Sequence, residues 1–270
     1  MSRVIIHAGY HKTGTTSLQD FLRDNAGLLA PHLRYFGKND FRAAGAHARI
    51  YAQRPYPWRL WRFRRSLRRF LAPLPPGGTI VLSRETFSGG MPGHRKLGGR
   101  LMTSYTDAAR ALAGVIIHEL RRKFGQDVDI TFFYTTRLRE PWIRSIHGHL
   151  LRSIRLTDDF DSFRARFPDL ASPAEEAARM AEFLAPVPVV TAALEDFETH
   201  PHGPAAALLD LLAIPPDLRA RLRPARRGNP GQTAGLRAAF LDLNHKNLSK
   251  AALKAAKQAL IRDARHANND

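Results

Sequence analysis

The sequence predicts an α/β fold in which a parallel β-sheet is flanked by helices on both faces. Short, continuous apolar runs at 4–9, 79–83, 128–136 and 187–194 are typical of buried strands. Segments with apolar residues at helical spacing lie between these runs, and turn residues such as those at 75–78 separate the two kinds of element. Strands that alternate with helices in this way pair in parallel, because each helix returns the chain to the same edge of the sheet.

The chain opens with a predicted strand, a loop and a helix. The apolar run at 4–9 is the strand, and Leu18, Phe21 and Leu22 mark the inner face of a helix over 16–29. Glycine pairs and a proline predict an irregular loop over 84–105. The remaining helical patterns are at 106–124, 142–154, 173–184 and 204–212, with a helical C-terminal segment at 233–268.

Residues 54–72 predict a basic helical excursion from a single domain formed by residues 1–270. On a helix, Leu60, Phe63 and Leu67 share one stripe, and arginines cover most of the remaining surface. The pattern favours a helix that packs its stripe on the core and exposes the arginines. The alternatives are that this helix is a lid over an acidic acceptor or that it contacts an anionic membrane surface.

Composition narrows the classes of function. The chain has 42 Lys and Arg against 24 Asp and Glu, and this net charge of +18 attracts polyanions and nucleotides. The absence of cysteine excludes disulfides, thiolate nucleophiles and thiolate metal sites. No apolar run reaches the ~20 residues of a membrane span, and the first apolar run is too short for a secretory signal. We therefore expect a cytoplasmic protein.

An anion-binding loop is predicted at residues 9–17, where a strand ends and a helix begins. Such a junction directs free backbone N–H groups and the positive end of the helix at one point. Gly9 and Gly14 have the separation of a Walker A loop, but Thr15 follows Gly14 and Lys12 stands two places before it. A P-loop kinase or NTPase, which needs a lysine directly after the second glycine, is therefore an alternative and not the leading hypothesis.

The run His11-Lys12-Thr13-Gly14-Thr15-Thr16-Ser17 resembles the 5′-phosphosulfate loop of sulfotransferases that use 3′-phosphoadenosine 5′-phosphosulfate (PAPS), the bacterial members in particular. The resemblance implies a P-loop NTPase-like fold of sulfotransferase type. It also implies that Lys12 contacts the sulfuryl group. The cofactor-binding residues implied for the 5′-phosphosulfate are Lys12, Thr13, Gly14, Thr15, Thr16 and Ser17.

A second motif follows the third predicted strand. Arg137 comes at the end of that strand and Ser145 lies one to two turns into the next helix. An arginine followed eight residues later by a serine resembles the 3′-phosphate motif of the same family. A guanidinium group binds phosphate in a bidentate manner, and a serine adds a hydroxyl donor. Arg139 or Arg144 could replace Arg137, and Arg227 resembles a later basic segment that also touches the 3′-phosphate.

The resemblance implies in-line transfer of a sulfuryl group from PAPS to a hydroxyl or amine of a carbohydrate or small-molecule acceptor, with no metal required. A base must accept the proton of the acceptor. Glu85 is the preferred base because it follows the second strand and so reaches the same sheet edge as Lys12. His11, beside Lys12, is the alternative catalytic residue.

The expected partners are PAPS, its desulfated product adenosine 3′,5′-bisphosphate, and a hydroxylated acceptor that could be acidic. No specific nucleic acid is expected, because the sequence has no recognised nucleic-acid-binding motif. A non-catalytic basic protein that binds nucleotides or nucleic acids is the alternative from a different class. The acceptor and the oligomeric state are left open by the sequence.

Overall fold

The structure is a computed structural model and describes residues 1–226 and 232–266. Five strands lie within these residues: β1 Ser2–His7, β2 Arg34–Phe36, β3 Gly78–Ser83, β4 Asp129–Thr136 and β5 Val189–Ala193. The helices are α1 Thr15–Asp24, α2 Ala26–Leu29, α3 Arg42–Gln53, α4 Pro57–Leu71, α5 Thr106–Phe124, α6 Arg139–Ser153, α7 Phe160–Ala165, α8 Pro173–Leu184, α9 Ala205–Leu211, α10 Pro216–Arg221, α11 Ala234–His245 and α12 Lys250–His266.

The strands form one parallel sheet in the order β2-β3-β1-β4-β5. β1 is the central strand, and His7 at its carboxyl end pairs with Ser83 of β3 and Phe133 of β4. After β1, the chain forms β2 and β3 on one side of it and then β4 and β5 on the other side. The predicted α/β fold class with a parallel sheet is therefore confirmed.

The direction of each crossover explains why helices cover both faces of the sheet. A right-handed crossover from β1 to β2 places α1 on one face of the sheet. The later crossovers run in the opposite direction across the sheet, from β2 towards β5, and so they place α3, α4, α5 and α8 on the other face. The observed contacts agree with this division: α1 contacts α9, whereas α4 contacts α3 and α5, and α5 contacts α8.

The core on the α1 face is built from alternate residues of the strands. Ile5, Val81 and Phe133 point to this face and pack against Leu18 and Leu22 of α1. Burial on both faces accounts for the continuous apolar runs that predicted β1, β3 and β4. Further members of this core are Phe21, Leu29, Leu33, Ala192, Ala205, Leu208, Leu209, Ile214, Leu218 and Leu222.

Several element boundaries differ from the sequence-based predictions. The helix predicted over 16–29 is two helices, α1 and α2, which are separated by Asn25. Asn25 is the C-cap of α1, and its side-chain amide donates to the carbonyl oxygen of Phe21. β2, α3, α7 and α10 were not predicted. The C-terminal segment predicted at 233–268 consists of α11 and α12, which are separated by residues 246–249.

The basic excursion predicted at 54–72 contains α4, which packs its apolar stripe on the core. Phe63, Leu67 and Leu71 are fully buried, and the ring of Phe70 contacts those of Phe36 and Phe41. This confirms the packed-helix interpretation for the inner face of α4. None of the helices within the described residues has the length and apolar content that a membrane crossing needs.

The described residues divide into two compact units. The first contains residues 1–139 and 171–226 and includes the whole sheet. The second contains residues 140–170 and 232–266. In the second unit Asn244 donates to the carbonyl oxygens of Leu151 and Leu156, and the buried Lys257 donates to that of Leu151. That residues 1–270 form a single domain stays a prediction.

Candidate functional site

The loop between β1 and α1 lies at the carboxyl end of the central strand. β1 ends at His7, and α1 begins at Thr15 after the N-cap Gly14. The first hydrogen bond of the helix runs from the amide of Leu18 to the carbonyl oxygen of Gly14, 3.2 Å apart. The preceding N–H groups of the first turn therefore lie outside the helical ladder, at the positive end of α1.

Glycine is required at both ends of this loop. Gly14 has φ 87° and ψ 3°, a left-handed conformation, and a Cβ there would lie 2.9 Å from the side chain of Leu194. A Cβ on Gly9 would lie 2.6 Å from Nε2 of His7 and 2.7 Å from Oγ1 of Thr15. The loop thus packs its backbone closely against the ends of β1 and α1.

Lys12 adopts a left-handed backbone conformation with φ 71°. Side chains rarely occupy this region, and such residues cluster at ligand-binding sites. The hydroxyl of Thr13 fixes the loop by donating to the carbonyl oxygen of Tyr10 at 2.8 Å, and the hydroxyl of Thr15 donates to the same oxygen at 3.3 Å. The conformation of Lys12 is therefore set by the loop around it.

The four hydroxyl groups predicted in this loop divide into two pairs. Those of Thr13 and Thr15 are buried and support the loop. Thr16 is exposed, and the half-buried Ser17 donates to the carbonyl oxygen of Arg226 at 3.3 Å. Thr16 and Ser17 are thus the hydroxyls that face outward at the start of α1.

Arg137 contacts the loop directly. Its guanidinium Nη1 lies 3.3 Å from the carbonyl oxygen of Lys12, although the two residues are 125 positions apart in the sequence. Arg137 is half-buried at the carboxyl end of β4, next to β1 in the sheet. The structure therefore brings together Lys12 and Arg137, which were predicted from separate motifs.

Tyr105 contacts one of the two predicted base candidates. Its hydroxyl lies 3.4 Å from Nδ1 of His11, and the two rings are stacked with centroids 6.0 Å apart. Burial raises the pKa of Tyr105 well above its usual value, a backbone hydrogen bond at His11 opposes the shift, and the carboxylates of Glu176 and Glu85 add to it. Glu85 is half-buried and lies two residues after the end of β3. Tyr105 therefore contacts His11 directly, whereas Glu85 influences Tyr105 through its charge.

A buried carboxylate holds Tyr105 in place. Glu176 of α8 is fully buried and accepts hydrogen bonds from the backbone amide of Tyr105 at 3.2 Å and the hydroxyls of Ser104 and Thr106 at 3.0 and 2.6 Å. The ring of Tyr105 packs on Tyr10 of the loop, with centroids 4.8 Å apart. Glu176 therefore anchors the start of α5 against the loop.

His7 is a structural residue beneath the loop. It is fully buried, with Nδ1 2.7 Å from the hydroxyl of Ser83 and Nε2 3.4 Å from that of Thr135. Burial lowers the pKa of His7 to about 3. The imidazole is therefore neutral at physiological pH, and its hydrogen bonds tie β1 to β3 and β4 at their carboxyl ends.

Two further predicted residues lie in the second compact unit or outside the described residues, and their roles stay predictions. Ser145 lies half-buried within α6, in the second compact unit. Arg227 lies outside the described residues. Its neighbour Arg226 is exposed and forms an ion pair with Asp24 of α1 at 2.9 Å.

The sequence patterns missed three residues that shape the site. Tyr105 and Glu176 meet the loop through contacts between distant segments, so no local motif could mark them. Thr135, whose hydroxyl lies 3.0 Å from that of Thr13, could have been found because it ends a predicted strand two residues before Arg137. Within the described ranges, no group of three or more His, Asp or Glu side chains has the arrangement of a metal site.

The fold and loop define an α/β protein in which the central strand of a parallel sheet leads through a glycine-containing loop into a helix. No family model and no curated protein matches the chain. Among solved structures, the chain is similar to a sulfotransferase from Alicyclobacillus acidocaldarius, with 15% identity over 94% of this chain and 95% of that chain and a TM-score of 0.43. The fold assignment rests on the strand order and pairing given above.

Proposed function

We propose that this protein is a sulfotransferase that moves the sulfuryl group of PAPS to a hydroxyl or amine of a carbohydrate or small-molecule acceptor. One observation carries the proposal: Arg137 donates to the backbone of Lys12 across 125 positions of sequence. The guanidinium group of the second motif therefore lies against the backbone of the loop that carries Lys12 and leads into the positive end of α1, which suits a donor with several negative charges.

The loop geometry supports a specific division of roles. The amides of the first turn of α1, with Thr16 and Ser17, would hold the 5′-phosphate, and Lys12 would stabilise negative charge next to the sulfuryl group. Arg137 would bind the 3′-phosphate. The left-handed backbone at Lys12 and Gly14 fits a loop that curves around an anion.

The chemistry needs one proton acceptor and no change of redox state. The acceptor oxygen or nitrogen forms a bond to sulfur as the bond from sulfur to the bridging phosphate oxygen breaks, and adenosine 3′,5′-bisphosphate leaves with that bonding pair. The proton of the acceptor passes to a base, for which Glu85 and His11 are the candidates.

Calorimetry with adenosine 3′,5′-bisphosphate tests the proposed donor site without an acceptor. We expect Lys12→Ala and Arg137→Ala to weaken binding by about tenfold or more each, because each removes a charge-assisted contact with phosphate. Ser145→Ala tests the remaining part of the predicted 3′-phosphate motif, with a smaller expected loss of a few fold.

Arg110→Ala is the matched control, because Arg110 is an exposed arginine of α5 on the opposite sheet face from α1. Equal affinity of the wild type, Lys12→Ala and Arg137→Ala proteins would contradict the proposed site. A parallel titration with ATP and Mg²⁺ examines the P-loop kinase or NTPase alternative. Tighter binding of ATP than of adenosine 3′,5′-bisphosphate would favour that alternative.

A further inference from the structure

The outward face of α4 combines arginine and exposed tryptophan. Trp58 and Trp61 are 53% and 56% exposed, and Arg62, Arg65 and Arg69 are exposed on the same side of the helix. These five residues, which we call the Trp/Arg face, are spaced so that they share one side of an α-helix. They lie opposite the buried residues of α4.

The flank of the Trp/Arg face is kept positive by three partly exposed arginines that pair with one buried glutamate. Glu119 of α5 is fully buried and accepts hydrogen bonds from Arg64 at 2.7 Å, from Arg68 at 2.9 Å and from Arg122 at 2.9 Å. Its one negative charge is shared by three guanidinium groups, so two positive charges remain in excess. Arg121 and Lys123 of α5 add to the positive charge of the same region.

The shape of the Trp/Arg face favours a broad, flat partner. A shallow depression on it is lined by Trp61, Arg64, Arg65, Arg68 and Arg69, all from α4. A second depression next to Glu119 is lined by α5 and the residues after it, including His118, Arg121 and Arg122. Each of these two depressions is formed along a single segment, so neither encloses a ligand between separate elements of the fold.

We propose that the Trp/Arg face docks on the surface of a membrane that contains anionic phospholipids. The arginines match the negative headgroups in charge, and tryptophan is favoured at the depth of the headgroups because it has an apolar ring and a polar N–H group. Phe63, Leu67 and Leu71 are buried in the core and do not reach the membrane, so the contact is peripheral. This inference is independent of the proposed sulfuryl transfer.

Vesicle co-sedimentation of the full-length protein tests the docking surface. We expect binding to vesicles of phosphatidylcholine with 30% phosphatidylserine, and weak binding to phosphatidylcholine alone. Each basic residue near an anionic leaflet contributes about fivefold to partitioning. The triple variant Arg62→Gln, Arg65→Gln, Arg69→Gln should therefore bind about 100-fold more weakly, and 0.5 M salt should weaken the wild type because it shortens the screening length.

The matched control is the triple variant Arg23→Gln, Arg221→Gln, Arg223→Gln. It removes the same number of charges from exposed arginines of α1, of α10 and of the residues that follow α10, on the opposite face of the sheet. We expect this control to bind the anionic vesicles within a few fold of the wild type. Equal losses in both triple variants would overturn the proposal, because binding would then follow net charge alone. Thermal unfolding measures whether both variants keep the wild-type fold.

Tryptophan fluorescence distinguishes a membrane from a soluble polyanion. The chain has three tryptophans, and since Trp142 is fully buried, a change on adding vesicles reports Trp58 and Trp61. We expect a blue shift with anionic vesicles, and its loss in the variant Trp58→Phe, Trp61→Phe identifies these rings as the source. Binding to duplex DNA or heparin that exceeds binding to anionic vesicles, with no shift on vesicles, would overturn the proposal in favour of a polyanion.

Discussion

Lys12 combines a left-handed backbone with the charge that we propose faces the sulfuryl group. For an L-residue this conformation costs about 1 to 2 kcal/mol, whereas glycine adopts it without steric cost. Position 12 therefore has a backbone conformation that favours glycine, yet it is occupied by lysine. Strained positions of this kind cluster at functional sites.

This leads to a prediction about stability. The variant Lys12→Gly should have a free energy of unfolding about 1 kcal/mol higher than that of Lys12→Ala, because alanine keeps the strain and glycine relieves it. Urea denaturation measures the difference, and both variants should lose affinity for adenosine 3′,5′-bisphosphate. Equal stability of the two variants would show that the backbone at position 12 is not strained.

The base can be assigned by comparing two substitutions. A general base contributes about 10² to 10⁴ in rate, so Glu85→Gln should lower transfer from PAPS by at least about 100-fold while the affinity for adenosine 3′,5′-bisphosphate is unchanged. The measurement is release of that product with a panel of hydroxylated acceptors.

His11→Asn is the parallel variant for this test. If it suppresses transfer and Glu85→Gln does not, the assignment to Glu85 is wrong and His11 is the base. Tyr105→Phe then serves as a further test, because loss of the hydroxyl 3.4 Å from Nδ1 of His11 should change the pH dependence of transfer.

At the scale of elements, Glu119 links α4 to α5. Burial acts to raise its pKa, but hydrogen bonds from Arg68, Arg64 and Arg122 outweigh burial and lower the pKa to about 2. The carboxylate is therefore ionised over the whole physiological range. Both helices depend on this one group, since Arg64 and Arg68 belong to α4 and Arg122 to α5.

We predict that Glu119→Gln lowers the free energy of unfolding by about 2 to 3 kcal/mol. Removing one partner of a buried ion pair costs about 3 to 5 kcal/mol, and the partial exposure of the three arginines reduces this. Glu182→Gln is the control, because Glu182 is an exposed glutamate of α8 and should change stability by less than about 0.5 kcal/mol. A comparable effect of the two substitutions in urea denaturation would contradict the role of Glu119.

The elements that the sequence predicted are those with strong, regular apolar patterns. β1, β3 and β4 are largely buried on both faces and contain continuous apolar runs, and the half-buried edge strand β5 contains Val189, Val190, Ala192 and Ala193. β2 is a three-residue edge strand whose residues are all half-buried, so it has no such pattern. The buried residues of α3 are Ala44, Gly45, Ala48 and Ala52, which are small and so give a weak apolar signal.

The candidate site was predictable only where its residues lie in local motifs. Lys12 and Gly14 belong to a strand, loop and helix that are continuous in the sequence, and Arg137 directly follows a strand. Tyr105 is 94 positions from His11, and Glu176 is 71 positions from Tyr105. Contacts over such distances arise from the packing of the whole unit, which a single sequence does not specify.

At the scale of the whole molecule, His7 makes stability depend on pH. Its pKa is about 3 in the folded protein and near 6.5 when unfolded, so the unfolded chain binds the proton more tightly. This contribution to stability is fully present above pH 6.5 and is lost as the pH falls towards 3. The loss is at most about 1.4 kcal/mol per pH unit.

We therefore expect the free energy of unfolding to fall between pH 6.5 and pH 4.5, and His7→Gln to reduce the slope by up to about 1 kcal/mol per unit. Burial also lowers the pKa of His147 and His94, so part of the slope remains. Urea denaturation at several pH values measures this slope, and His245→Gln is the control because His245 is exposed. An unchanged slope in His7→Gln would show that His7 does not stay neutral in the folded protein.

The position of β1 between β3 and β4 also determines the order in which the protein is assembled during synthesis. Residues 2–17 leave the ribosome before the two strands that flank β1, which end at residues 83 and 136. At about 5 to 20 residues per second, the second of these strands follows roughly 6 to 24 s later. During this interval β1 is an apolar strand without its hydrogen-bonded neighbours, and we expect chaperones that recognise such segments to bind it until translation has passed residue 136.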